Sequence, residues 1–171
     1  LPYEKEFLGV PIVFLDEKGT PVRADFIFAI LAEWELRHHK KGIFVGTLNI
    51  SKGVREYIQE MGGVIKLSPQ GYPYLQKIMR RLKAIIGVEM SGHYHFKETF
   101  FRDSTLLPFL QIAEYLSESK EPLSYIVKRL QRYVSSNELA FPVSNQRKVI
   151  ERVKKIYIKQ KGKLSFLDGI T

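Results

Sequence analysis

Apolar and polar positions along this chain switch repeatedly between a short, strand-like period and a helical one. Ile12-Val13-Phe14-Leu15 is an apolar run closed by the turn sequence Asp16-Glu17-Lys18-Gly19, and it predicts a short buried strand. From Ala24 to His39, Phe26, Ile27, Ile30, Leu31 and Trp34 recur at helical spacing with Glu33, Glu35 and Arg37 between them. This predicts an amphipathic helix ended near Gly42, with His38 and His39 framing its last turn. Ile43–Leu48 predicts a strand, Ser51 the cap of a helix running to Met61 and closed by Gly62-Gly63, and Val64–Leu67 a further strand. Tyr74–Lys83 then reads as helix and Ala84–Glu89 as strand.

Beyond this point the pattern predicts helices over Thr105–Leu116, Leu123–Val134 and Gln146–Tyr157, a strand over Leu139–Val143, and a hinge at Gly162-Lys163 leading to a final strand. Strands alternating with helices of these lengths call for an α/β fold with a mainly parallel or mixed sheet. A boundary is expected near Gln160–Lys163, so that residues 1–160 form one domain and residues 161–171 a C-terminal strand or the beginning of another domain.

Composition narrows the function classes. At 171 residues and 44% hydrophobic content the chain is long enough for one compact domain with a real core. It has no cysteine, which excludes disulfides, thiolate metal sites and a thiol nucleophile, and fits a cytoplasmic protein. The apolar run Phe7–Leu15 is too short to span a bilayer, and no leader pattern precedes it; a soluble protein without a membrane partner is expected. Net charge is +9, concentrated at Arg37–Lys41, Lys77–Lys83 and Arg147–Lys163. In the last two stretches Ile78, Met79, Leu82, Val149, Ile150, Val153 and Ile156 interleave with the basic residues at helical spacing, so solvated faces of amphipathic helices are preferred over a nucleic-acid groove. The alternative function is a non-catalytic interaction module whose basic faces, interleaved with Tyr133 and Tyr157, meet an acidic partner or nucleic acid.

Candidate chemistry is concentrated in Gly87-Val88-Glu89-Met90-Ser91-Gly92-His93, which places an acid, a hydroxyl and an imidazole on one short turn. Such a turn offers acceptors and donors to a polyhydroxylated ligand, and its glycines allow close backbone approach. Glu89 and Ser91 are the candidate sugar contacts, and His93 a candidate proton shuttle or third contact, since imidazole titrates near neutrality. Met90 reads as packing. His95 would share a face with His93 in an extended segment, a spacing that occurs in metal sites, but with no cysteine and no second acidic cluster no metal site is assigned. Dinucleotide, P-loop, zincin and serine-hydrolase motifs are all absent.

The turn resembles the Gly-Glu-Met-Ser-Gly-His sugar-binding loop in the third of four domains of the α-D-phosphohexomutases, the phosphoglucomutase/phosphomannomutase enzymes. Ile12–Gly19 with the helix that follows is similar to the opening of that domain, and Leu164–Ile170 to the entry into the fourth. The resemblance implies a mixed sheet with helices packed on both faces, a hexose phosphate or small sugar as ligand, the remaining phosphohexomutase domains as partners, and a place in carbohydrate metabolism. It implies an intramolecular phosphotransferase, an isomerase, that moves a phosphoryl group between the 1 and 6 oxygens of a hexose phosphate with magnesium as the family's cofactor.

The departures from the pattern bear on activity. Where the family carries its Asp-Gly-Asp-x-Asp-Arg magnesium loop this chain reads Glu6-Phe7-Leu8-Gly9-Val10-Pro11, which lacks the hard oxygen ligands, so no cofactor is expected in this chain. The family's Lys-Thr-Gly-His turn falls at Pro69-Gln70-Gly71-Tyr72, where only the glycine remains. The phosphoryl-carrying serine and the phosphate clamp belong to other domains of the family. A chain without these four parts is expected to bind sugar and not to be a mutase alone.

Overall fold

The computed structural model describes residues 10–135, 139–160, 165 and 167, and the chain divides into two compact units, Leu1–Tyr133 and Val134–Thr171. In the first unit the elements run β1 (Phe14–Leu15), β2 (Pro21–Val22), α1 (Ala24–His38), β3 (Ile43–Thr47), α2 (Lys52–Glu60), β4 (Val64–Ser68), α3 (Tyr72–Leu82), β5 (Ile86–Glu89), β6 (His93–Phe96), β7 (Arg102–Asp103), α4 (Leu106–Ser119) and α5 (Leu123–Leu130); the second contains α6 (Gln146–Lys159). β1 and β2 form a small antiparallel hairpin, while the main sheet has the order β4-β3-β5-β6-β7. β3 pairs in parallel with β4 and β5, whereas β5–β6 and β6–β7 are antiparallel. The mixed sheet follows from loop length: the parallel pairs are joined through α2 and α3, and the antiparallel ones through short turns.

Helices cover both faces of the main sheet. On one face Phe44, Ile86, Val88, Tyr94 and Phe96 share a core with α1, α2, α4 and α5; on the other, Val45 packs with Leu75, Met79 and Ala84 from α3 and its C-terminal loop. α1 is buried from Ala24 to Leu36, because the sheet lies on one side of it and α4 and α5 on another. The three carboxylates on this helix therefore have to find partners away from water. Asp25 accepts from the Arg23 guanidinium at 2.9 and 3.1 Å and from the Ser51 amide at 3.0 Å. Glu33 accepts from Arg37, from the Tyr57 hydroxyl at 2.6 Å and from the Tyr115 hydroxyl at 3.0 Å. Glu35 accepts from Gln111 Nε2 at 2.8 Å.

Local signals account for most boundaries. Ser51 caps α2 by accepting from the Val54 amide, and Gly71, at φ +103°, opens α3 with Pro73 in its first turn. His38 Nδ1 donates to the Trp34 carbonyl at 2.8 Å and the ring lies tilted against the Trp34 ring, so the histidine pair frames the end of α1 as expected. Three expectations are corrected. Ile12–Leu15 is not a buried strand: only Phe14–Leu15 pairs, with the unforeseen β2, and Val13 and Leu15 are 65% and 57% exposed while Ile12 and Phe14 pack inward. Four apolar residues in a row concealed an alternating, half-buried hairpin. Leu139–Val143 forms no strand; Leu139 and Phe141 are 62% and 75% exposed, and a strand without a neighbour to complete its hydrogen bonds does not persist. The helix expected to reach Val134 ends at Leu130. The expected hinge and final strand at residues 162–170 lie outside the described residues, apart from Ser165 and Leu167.

Burial pushes the Tyr115 hydroxyl up to about 12, with the Glu33 charge reinforcing the effect, so it remains a donor to Glu33. Tyr115→Phe leaves that buried carboxylate one donor short and is expected to cost about 1–3 kcal/mol in chemical denaturation. Burial also raises the Glu35 carboxyl above its ordinary 4.5. The folded state then holds this proton more tightly than the unfolded chain. Its contribution is complete below about pH 4.5 and is lost as pH rises through the higher folded value. Glu35→Gln is expected to gain in melting temperature relative to the native chain at pH 7, and the gain should shrink as the pH falls toward 5.

Candidate functional site

The Glu89–His93 turn is a β-hairpin loop with a sharply defined geometry. Glu89 and His93 are register partners at the last rung of β5 and β6, the Gly92 amide donates to the Glu89 carbonyl at 3.0 Å, and Gly92 has φ +93°. A three-residue loop with glycine in the left-handed region at its last position is a preferred hairpin connection. Gly92 is required for a second reason: a Cβ here would lie 2.6 Å from the Ile12 carbonyl oxygen. The Ile12 amide in turn donates to the Gly92 carbonyl at 3.0 Å, so the segment before β1 straps the loop from outside. Met90 is partly buried against the α1 core, the packing role expected of it, and Ser91 is exposed at the tip.

The pleat sorts the neighbouring side chains. Val88, Tyr94 and Phe96 enter the α1 core, which leaves Gly87, Glu89, His93 and His95 on the α3 face of the sheet. A Cβ on Gly87 would meet Met79 Sδ of α3 at 2.3 Å, so the absence of a side chain there is what allows α3 to lie close. Two crossed imidazole–carboxylate pairs result. His93 Nδ1 lies 2.6 Å from Asp103 Oδ2, while Asp103 Oδ1 accepts from the Tyr94 amide at 2.9 Å. His95 Nε2 lies 3.6 Å from Glu89 Oε2, and His95 Nδ1 faces the Phe101 carbonyl at 3.3 Å. The Glu89 side chain is only 13% exposed, so it borders the surface instead of projecting from it.

The structure therefore brings Glu89 and His93 together across one rung with Ser91 exposed between them, and it adds Asp103, which the sequence pattern did not single out. Asp103 becomes a neighbour through the β6–β7 turn. In that turn Phe100 and Phe101 have φ of 57° and 65°, a left-handed pair of bulky residues that costs on the order of 1–3 kcal/mol each. The tight reversal sets Asp103 beside His93 and the Phe101 carbonyl beside His95. No spacing rule announces such a pair; the alternation of His93 and His95 was the available signal, and it needed the register of a third strand.

β5 runs parallel to β3, so the 90–92 loop lies at the same edge of the sheet as the carboxyl ends of β3 and β4. Ligands of open α/β sheets bind outside that edge. Thr47 and Ser68 are buried register partners there, with Thr47 Oγ1 donating to Asn49 at 2.7 Å, and Pro69-Gln70-Gly71-Tyr72 leads from β4 into α3. Among the described residues, Val10 and Pro11 offer no side-chain oxygen to a magnesium ion, and no three His, Asp or Glu side chains converge as metal ligands. No described helix is long and apolar enough to cross a membrane.

Fold and loop together define a three-layer α/β/α domain with a polar cluster at the carboxyl edge of its parallel strands. The sequence model described as "Phosphoglucomutase/phosphomannomutase, alpha/beta/alpha domain III" matches residues 23–133, and the chain belongs to that family. It is similar to a phosphomannomutase of Methanocaldococcus jannaschii, 32% identical over 95% of this chain and 36% of the relative. It is also similar to a Xanthomonas campestris protein named for phosphohexose mutases, 30% identical over 92% of this chain and 36% of the relative. A solved phosphoglucomutase/phosphomannomutase family protein from Burkholderia thailandensis superimposes with a TM-score of 0.77 at 22% identity, covering 92% of this chain and 34% of that one, and shows the shared fold. The chain thus spans about a third of the length of these relatives.

Gly92→Ala combines a left-handed backbone with a clash against the Ile12 backbone. It is expected to destabilise the first unit by about 1–3 kcal/mol in urea denaturation. Amide shift changes should centre on residues 12 and 89–93, which the strap joins.

Proposed function

We propose that the first unit is the sugar-recognising domain of a phosphohexomutase-like protein, and that Glu89 and Ser91, with His93 as a third contact, hold the hydroxyls of a hexose or hexose phosphate. The observation that carries this reading is the pairing of Glu89 and His93 on the last rung of β5–β6, with the exposed Ser91 between them. A carboxylate accepts from sugar hydroxyls in charge-assisted bonds, and a serine hydroxyl both donates and accepts. His93 engages Asp103 through Nδ1, which directs its donor there and leaves Nε2 as the ring position for a ligand oxygen. Prior positioning of these groups lowers the ordering cost of binding a flexible polyol.

Transfer of a phosphoryl group between the 1 and 6 oxygens of a hexose phosphate is the activity proposed for a complete protein of this kind. That chemistry rests on neutralising phosphate charge. This chain's own contribution in the proposed division of labour is to orient the sugar and exclude alternative poses. Titration of the chain with glucose, mannose and glucosamine phosphates by calorimetry is expected to give saturable binding. Glu89→Gln, which exchanges an acceptor-only carboxylate for a neutral amide, should weaken it about tenfold or more, the worth of one charge-assisted hydrogen bond. Equal affinity in the variant removes Glu89 from the site.

A further inference from the structure

His95 occupies a position that the proposed sugar contacts do not use. It is 2% exposed, it stands diagonally across the β5–β6 ladder from Glu89, and its partner in register is Gly87, which has no side chain to separate the two. Diagonal neighbours of this kind are within reach of long side chains. The Phe101 carbonyl only accepts, so the proton on Nδ1 is committed to it. Nε2 is then buried without a hydrogen-bond partner and faces Glu89 Oε2 at 3.6 Å. With no proton on Nε2, two lone-pair acceptors would oppose one another in a region closed to water, which is unfavourable. With a proton there, the contact is an ion pair in a site of low polarisability, where charges interact strongly.

We infer that His95 is a positioning residue for Glu89: a proton on its Nε2 faces the Glu89 carboxylate and holds it in place for the ligand. This inference rests on the sugar-site reading of Glu89. The charged groups around His95 are consistent with that assignment. Asp103, opposite His95 in register on β7, is committed to His93 and the Tyr94 amide. On the same strand and face His93 is bound to that aspartate. From α3, Met79 approaches beneath Gly87, and the Arg80 guanidinium lies over the Phe101 ring at 5.9 Å. Glu89 is thus the carboxylate left to balance His95.

Two measurements test this. Without any ligand, nitrogen-15 spectra of the imidazole rings are expected to show a proton on Nε2 of His95 in the native chain. An unprotonated Nε2 in the native chain overturns the inference whatever the sugar does. With mannose 1-phosphate as probe, His95→Leu is expected to bind about tenfold more weakly than the native chain at pH 6. His95→Gln, whose amide can donate toward Glu89 at any pH, should retain affinity within about threefold. A native affinity in a folded His95→Leu, in a chain where Glu89→Gln has lost binding, refutes the positioning role while sparing the sugar site. Native affinity in Glu89→Gln instead refutes the sugar site, and the spectra then decide the ion pair alone.

Discussion

The polar cluster depends on the register in which β5 and β6 pair. Side chains on a strand alternate faces, so a slip of one residue would carry Glu89, His93 and His95 into the apolar layer over α1 and expel Val88, Tyr94 and Phe96 from it. Val88 and Phe96 are completely buried and Tyr94 nearly so, and their burial is worth several kcal/mol, while desolvating unpaired charged groups would cost a similar amount again. The core on one face therefore determines the chemistry presented on the other. Gly92 makes the register attainable, since a left-handed residue at the last loop position closes three residues into a hairpin without splaying the strands.

α1 supplies the counterpart of that constraint. Ile27, Phe28, Ile30 and Leu31 are fully buried, and such a helix cannot leave its carboxylates in water. Their partners tie it to the elements around it: Asp25 to the Ser51 amide at the start of α2, and Glu33 to tyrosines from α2 and α4. The hydroxyl of Tyr94 also donates to the Ala24 carbonyl at 3.3 Å. The amino end of α1 consequently grips both the loop after β3 and the strand that carries His93 and His95. A polar network of this sort contributes little net stability over an apolar core, but it penalises alternative placements of α2, α4 and β6 heavily.

Much of this was legible in the chain. The helical spacing over Ala24–His39, Ser51 as a cap, and the alternation of strands with helices each reflect local chemistry, and each corresponds to an observed element within a residue or two. The turn at Glu89–His93 was legible because serine and glycine side by side after an apolar run favour a tight chain reversal over a continued strand. The misses were non-local. β2 and β7 are two-residue strands that exist only through their partners, and Asp103 joins the cluster through a strained turn of two left-handed phenylalanines, residues with no intrinsic preference for that conformation. The apolar run at Ile12–Leu15 misled because a hairpin lying on a surface and a strand buried on both faces can share four consecutive apolar residues. Glu17, in the turn between β1 and β2, accepts from the amide and hydroxyl of Ser124 at the start of α5, and that bond holds its carboxyl below the ordinary range.

Ligand polarity follows from the charges within the proposed reading. Glu89 is an acceptor with a negative charge, so it attracts hydroxyl donors and repels a phosphate dianion. Asp103 reinforces this repulsion from the β7 side. A hexose phosphate held by Glu89 and Ser91 is therefore constrained to present its hydroxyl-bearing edge to the 90–92 loop and to turn its phosphate away. Pro69, two residues before Gly71 at this edge of the sheet, supplies no positive charge to meet an anion. Gly71 takes φ +103° at the entry into α3, a backbone conformation that favours glycine independently of any ligand. The conformation of that loop and its charge are separable properties. That loop supplies the bend without a positive charge at Pro69, so within the proposed reading the pull on the sugar comes from hydroxyl recognition at Glu89.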